Sequence, residues 1–205
     1  MDTRSIAIAL AALTLLAVPA HAREPRGTRM SVRGTVEKLD GRDLMVKERS
    51  GQSVSVTLAP NFVVRGVVKK SLADIKSGDF VASTSLKGTD GKLHAIEIHI
   101  FPAALKGRVP QLQTPWDLAP HSVMTNAIVT GIAAAPKGET LKVTFNGHAT
   151  EIVVPPDIPI VGYVPGDPSL LKPGAAVFVI AEKKPDGTLT AANVTAEKNG
   201  VKPPM

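Results

Sequence analysis

The side chains that could do chemistry in this chain are few and widely spaced. Past the first 22 residues the histidines are His94, His99, His121 and His148. A zinc or copper site needs three or four donors that converge, and often has two histidines close together on one element. His94 and His99 are five residues apart on an expected strand, which places them on opposite faces. Glu97 and His99 share a face, and His121 with Met124 adds softer donors from a connecting segment. The metal candidates are therefore His94, Glu97, His99, His121 and Met124. No cofactor is implied, and a metal ion is the one exception these side chains would permit.

Other chemistries lack their signatures. Cysteine is absent, which removes disulfides, thiolate metal sites and cysteine nucleophiles. There is no G-x-S-x-G elbow, H-E-x-x-H helix or phosphate-cradling G-x-x-x-x-G-K. Asp40, Asp90, Asp157 and Asp167 sit beside glycine or proline in turns, and Asp43 two residues past Gly41, without the alternating acidic run of a calcium loop. The reading is of a protein that is not an enzyme. Single-stranded nucleic acid is recognised by stacking on exposed aromatics. This chain has one Trp, one Tyr and five Phe, and the Phe fall in apolar strands. The net charge is +6, with Arg23, Arg26, Arg29 and Arg33 close together. Such a cluster would support weak association with an anionic membrane surface.

The elements that must position these residues are strands. Val54, Val56 and Leu58 alternate with Ser53, Ser55 and Thr57, the period of a half-buried strand. Asp90-Gly91 and Asp186-Gly187 are hairpin turns. The chain also repeats itself. At an offset of 97, Val32-Arg33-Gly34 meets Val129-Thr130-Gly131, and Leu44 meets Leu141. At an offset of 96, Pro60 meets Pro156, Gly66 meets Gly162, and Gly78 meets Gly174. Each copy has five strands: Val32–Lys38, Leu44–Lys47, Ser53–Leu58, Asp79–Leu86 and Leu93–Phe101, then Ile128–Ala133, Thr140–Phe145, Thr150–Val154, Ala176–Glu182 and Leu189–Glu197. A helical turn opened by Ser71 or Ser169 is expected before the fourth strand. The predicted architecture is all-β, two tandem small five-stranded OB-like barrels joined by a Pro-rich linker.

The boundaries that follow are a signal peptide at 1–22, a first barrel repeat at 31–102, a linker at 103–126 and a second barrel repeat at 127–198. Ile6 to Val18 is an apolar run too short to span a bilayer comfortably, and Ala20-His21-Ala22 has the small residues of a cleavage site. A periplasmic or secreted protein, processed near Ala22, is expected. Trp116 lies in the linker, where it should pack on a barrel. Pro155–Pro168 holds five prolines and corresponds to Pro60–Leu72. These connections would frame a groove, with Trp116, Tyr163 and Asp167 as its contacts to a ligand or partner.

The segments Asp40-Gly41…Leu44-Met45-Val46, Leu72…Ile75-Lys76-Ser77-Gly78-Asp79…Val81 and Asp90-Gly91-Lys92-Leu93-His94-Ala95 resemble an exported bacterial domain family of unknown function. The second half, through Val153 to Val161 and Gly187 to Ala191, resembles alphaproteobacterial exported proteins. Some of these carry an automatic label as metal ABC transporter components. The resemblance implies small five-stranded OB-like barrels and export, and it brings no catalytic residue. The function expected is a periplasmic, non-catalytic binding or interaction module for a partner protein, an envelope component or a small ligand. Metal handling in the envelope is the alternative.

Overall fold

A computed structural model describes residues 27–135 and 138–204. The expected signal peptide, 1–22, lies outside the described residues. Among the described residues the chain is all-β, with three short 3-10 turns and no α-helix. No helix there is long and apolar enough to cross a membrane.

Twelve strands follow in chain order: β1 Thr28–Asp40, β2 Asp43–Glu48, β3 Ser53–Lys70, β4 Phe80–Lys87, β5 Leu93–Ile100, β6 Leu112–Pro115, β7 Val123–Ala135, β8 Gly138–Phe145, β9 His148–Val154, β10 Ile160–Pro165, β11 Ala176–Lys183 and β12 Leu189–Ala196. All ten expected strands are present. β6 and β10 are additional, and β3 runs to 18 residues, far beyond the expected Leu58. Pro60 does not stop it. Leu58 still pairs with Ala191, and the next partners are Val63 and Asn193. The proline thus sits in a bulge, where no ladder hydrogen bond needs its missing N–H.

The pairing joins strands from both sequence halves. β1, β2, β3, β12 and β11 close into a five-stranded barrel through antiparallel β1–β2, β2–β3, β11–β12 and β1–β11 ladders and a parallel β12–β3 ladder. β4, β5, β9, β8 and β7 form a second ring. Its β5–β9 junction consists of Leu93 with Ile152 and His94 with Val153. Neither repeat closes on itself, so the boundaries 31–102 and 127–198 do not delimit the closed units. Each ring takes three strands from one repeat and two from the other. The segment 103–126 joins β5 to β7, which belong to the same ring. It carries β6, paired with β7, and so is more than a spacer.

Burial follows this exchange. Val32, Leu44, Val56 and Leu58 from the first half share a core with Val177, Val179, Val194 and Ala196 from the second. Val81 and Ile98 share the other core with Val129, Leu141, Val143 and Ile152.

The two rings meet where the far half of β3 pairs with β10, from Arg65 with Pro165 to Lys70 with Ile160. Val67 faces Tyr163, its own counterpart 96 residues on (67 to 163). Gly66 faces Val164 and Val68 faces Gly162, the same pair of positions with the copies interchanged. A pseudo-two-fold axis therefore passes between Val67 and Tyr163.

The pairing also corrects the repeat register at its start. Gly34 opposes Val177 and Ala127 opposes Val81, so Gly34 corresponds to Ala127 (34 to 127, an offset of 93) and not to Gly131. Leu44 and Leu141 oppose Val56 and Ile152, which keeps the offset of 97 for β2. The β7–β8 hairpin is four residues longer than its counterpart, and matching Val-x-Gly triplets hid the extension.

Candidate functional site

The expected contact residues go to three places. Trp116 packs on the closed barrel, as expected, edge-on to Phe178 at 6.3 Å between ring centroids. The Arg33 guanidinium lies 4.8 Å from the Phe178 ring and 5.6 Å from Trp116. Its other partner is Asp117, held bidentately at 3.0 and 2.8 Å. Hydrogen bonding from Arg33 holds the Asp117 carboxyl below the usual carboxylate range. Trp116 and Asp117, the partners of Arg33, border a groove of about 560 Å³, lined also by Arg29, Met30, Ser31, Pro115 and Ile180. Ile180 is 47% exposed there.

The Arg33–Asp117 pair makes a prediction about acid. A depressed folded-state pKa gives stability that is present above the unfolded value and lost as pH falls through the folded one. Asp117→Asn removes that contribution. The Asp117 side chain is 54% exposed, so the loss at pH 7 is under about 1 kcal/mol. Chemical denaturation of both proteins across pH should show the gap closing below the carboxylate range. A gap that persists unchanged in acid would assign the effect to packing.

Asp167 has a local task. Its carboxylate accepts the backbone N–H of Ser169 at 2.9 Å and caps the 3-10 turn Pro168–Leu170. Asp167, and not Ser169, opens that turn, with Pro168 in its first position. In the first half Ser71 precedes the turn Leu72–Asp74. Its N–H and hydroxyl both donate to Asp74, at 2.8 and 2.9 Å.

Tyr163 lies on β10 and meets the metal candidates. β10 runs parallel to β5, with Val161 opposite His99. The Tyr163 hydroxyl and His99 Nδ1 share a hydrogen bond of 2.5 Å. Burial, followed by the nearby Glu97 charge, raises the phenol well above its ordinary pKa. Phe101 stacks against both Tyr163 and Phe80, at 5.3 and 5.0 Å.

Glu97 and His99 are the most buried of the charged or titratable side chains described, at 3% and 4% exposure. Thr84 donates to Glu97 Oε1 at 2.5 Å. Glu97 Oε2 and His99 Nε2 stand 3.4 Å apart, and neither has a hydrogen-bond partner. A cleft of about 270 Å³ reaches this region, lined by Ile96, Glu97, Leu118, Pro159 and Pro204.

The register explains who is near. Thr84 opposes Glu97 on one side and Met124 on the other. Directly opposed residues share a face, and Met124 Sδ lies 3.9 Å from the Thr84 hydroxyl. A bulge between Thr84 and Ser85 shifts β5 by one residue. His94 opposes Leu86 and His99 opposes Ala82, so the two histidines lie on one face. The expectation of opposite faces assumed an unbroken strand. His94 nevertheless stays apart, about 13 Å along the ladder at about 3.3 Å per residue. Its Nε2 bonds Asp90 at 3.0 Å, which lowers the Asp90 pKa. His121 is exposed in a turn at φ 61°. The structure thus brings Glu97 and His99 together, sets Met124 one strand further on against Thr84, and leaves His94 and His121 elsewhere. Among the described residues no group of three or more His, Asp or Glu is placed to hold a metal.

No protein-family model, characterised protein or solved structure matches this chain. The site has to be read from its own chemistry.

Proposed function

We propose that this protein is an exported, non-catalytic binding module of the bacterial envelope, periplasmic or secreted after cleavage near Ala22. Its partner is a protein that presents an apolar side chain to the groove beside Trp116. The observation that carries this reading is Ile180, 47% exposed at a groove whose Trp116 wall is packed against Arg33 and Phe178. Interfaces concentrate their energy in well-packed aromatic and arginine anchors ringed by polar groups. Here Trp116 supplies the anchor, Arg29 and Asp117 the polar rim, and Met30 and Ile180 the apolar patch.

The apolar run Ile6–Val18 followed by Ala20-His21-Ala22 supports the envelope as the setting, and the short list of reactive side chains supports binding over catalysis. A photo-cross-linking residue at Pro115 should give one specific adduct in envelope preparations. Ile180→Asp should abolish it. Val63→Asp, at an equally exposed position on β3, should leave it unchanged. An adduct insensitive to Ile180→Asp would remove this groove from the account.

A further inference from the structure

We propose that Glu97 and His99 form a binding site for a first-row divalent transition metal, independent of the groove at Trp116. Three observations carry it. First, each residue is almost wholly buried and keeps one polar atom without a hydrogen-bond partner. A buried polar atom left unpaired is destabilising, more so if charged, so a native fold seldom leaves two of them side by side.

Second, the remaining atom of each residue is already held. Thr84 fixes the carboxylate through Oε1, and Tyr163 fixes the imidazole through Nδ1. Histidines that ligate a metal characteristically use the second ring nitrogen in this way. With the Nδ1 proton donated to the phenol oxygen, the Nε2 lone pair points free.

Third, the spacing fits. Ligand bonds of about 2.0–2.1 Å at tetrahedral angles place two donors about 3.3–3.4 Å apart. Oε2 and Nε2 are separated by 3.4 Å. Imidazole with carboxylate is the donor set of zinc and its neighbours and not of calcium, which takes oxygen ligands. Met124 lies one strand beyond Thr84 in the same cross-strand row, with its sulfur against the Thr84 hydroxyl, and is not counted among the ligands. The cleft bordered by Glu97, Leu118 and Pro204 offers an approach for the ion and for the waters that fill its other positions.

Zinc titration of the full mature chain, followed by calorimetry and native mass spectrometry, tests the site. One equivalent should bind, and magnesium should not compete. Cobalt in its place should give a visible absorption band of a tetrahedral centre. His99→Gln and Glu97→Gln should each abolish the band while His94→Ala and His121→Ala retain it. Should the two ligand variants fail to fold, Tyr163→Phe decides, since it keeps both ligands. Loss of the phenol should weaken zinc about 10–100-fold. No stoichiometric zinc would show that the pair simply shares a proton and overturn the proposal. Zinc binding indifferent to His99→Gln or Tyr163→Phe would place the ion at another histidine and overturn it equally.

Discussion

A chain divided between Arg108 and Val109 should yield two fragments that do not form stable monomers alone and that restore the native fold when mixed. The reason is the exchange of strands. The first fragment holds β1 to β3 but lacks β11 and β12, and with them Val177, Val179, Ala181, Val194 and Ala196, all essentially fully buried. Full burial of a valine contributes about 1.5 kcal/mol or more. Three such valines already rival the lower end of a total stability of about 5–15 kcal/mol. The second fragment likewise loses Val81 and Ile98 from its ring.

A fragment could rescue itself only by folding its own β4 and β5 back onto β1 to β3. That would require β3, which in the intact chain runs on to Lys70 and pairs there with β10 of the other fragment, to turn sharply instead. Circular dichroism and denaturant titration should therefore show no cooperative transition for either fragment. The mixture should form a 1:1 complex with the transition of the intact chain. Trp116 emission would report the second fragment's part in it. Two fragments that each unfold cooperatively as monomers would mean that the halves close separately.

The second large effect concerns two glycines that look equivalent in sequence. Alanine at position 34 would drive its Cβ into the Lys47 carbonyl, a backbone atom of the paired strand β2. Alanine at position 131 would find nothing nearer than the Lys142 side chain at 4.0 Å. Gly34→Ala should cost about 1–3 kcal/mol, since the clash is with backbone and not with a mobile side chain. For a domain of this size that lowers Tm by about 3–10 °C. Gly131→Ala should change stability by less than about 1 kcal/mol, in the stabilising direction, because glycine weakens a strand interior. The pair of thermal melts tests the four-residue shift in register directly. Equal losses would restore the simpler alignment, in which both glycines do the same task.

Much of the fold is legible because strand signals are local. Alternation located ten strands, and the Asp-Gly turns located two hairpins, at Gly91 (φ 76°) and Gly187 (φ 86°). The partners of those strands are not legible, because the same five-strand pattern closes equally well within a repeat or across the pair. A signal for β10 was present in Ile160-Val161-Gly162-Tyr163-Val164, an apolar run between Pro159 and Pro165. The flanking prolines are the mark of a connection, and they mask it. Pro60 likewise hid the length of β3.

The same division holds for the site. Glu97 and His99 could be paired from their spacing alone. Thr84, Met124 and Tyr163 come from three other strands, and only the pairing register brings them there. Tyr163 was singled out as a surface contact, yet its hydroxyl serves His99. The bulge at Thr84, which gives no sequence signal of its own, reverses the expected facing of His94.

The closed barrel also sets a timetable for the ribosome. β1, β2 and β3 are the first strands to emerge, but their barrel is completed by β12, the last. About 125 residues separate the end of β3 from the end of β12. At about 5–20 residues per second that is a wait of about 6–25 s. Within this time the second ring gains all its strands, the last of them β9 at Val154, while the edges of β1 and β3 that later receive β11 and β12 stay unpaired. Unpaired strand edges recruit other chains. A nascent chain of this protein therefore needs a holdase most while its first three strands, the best-formed part of its sequence pattern, are waiting for its last two.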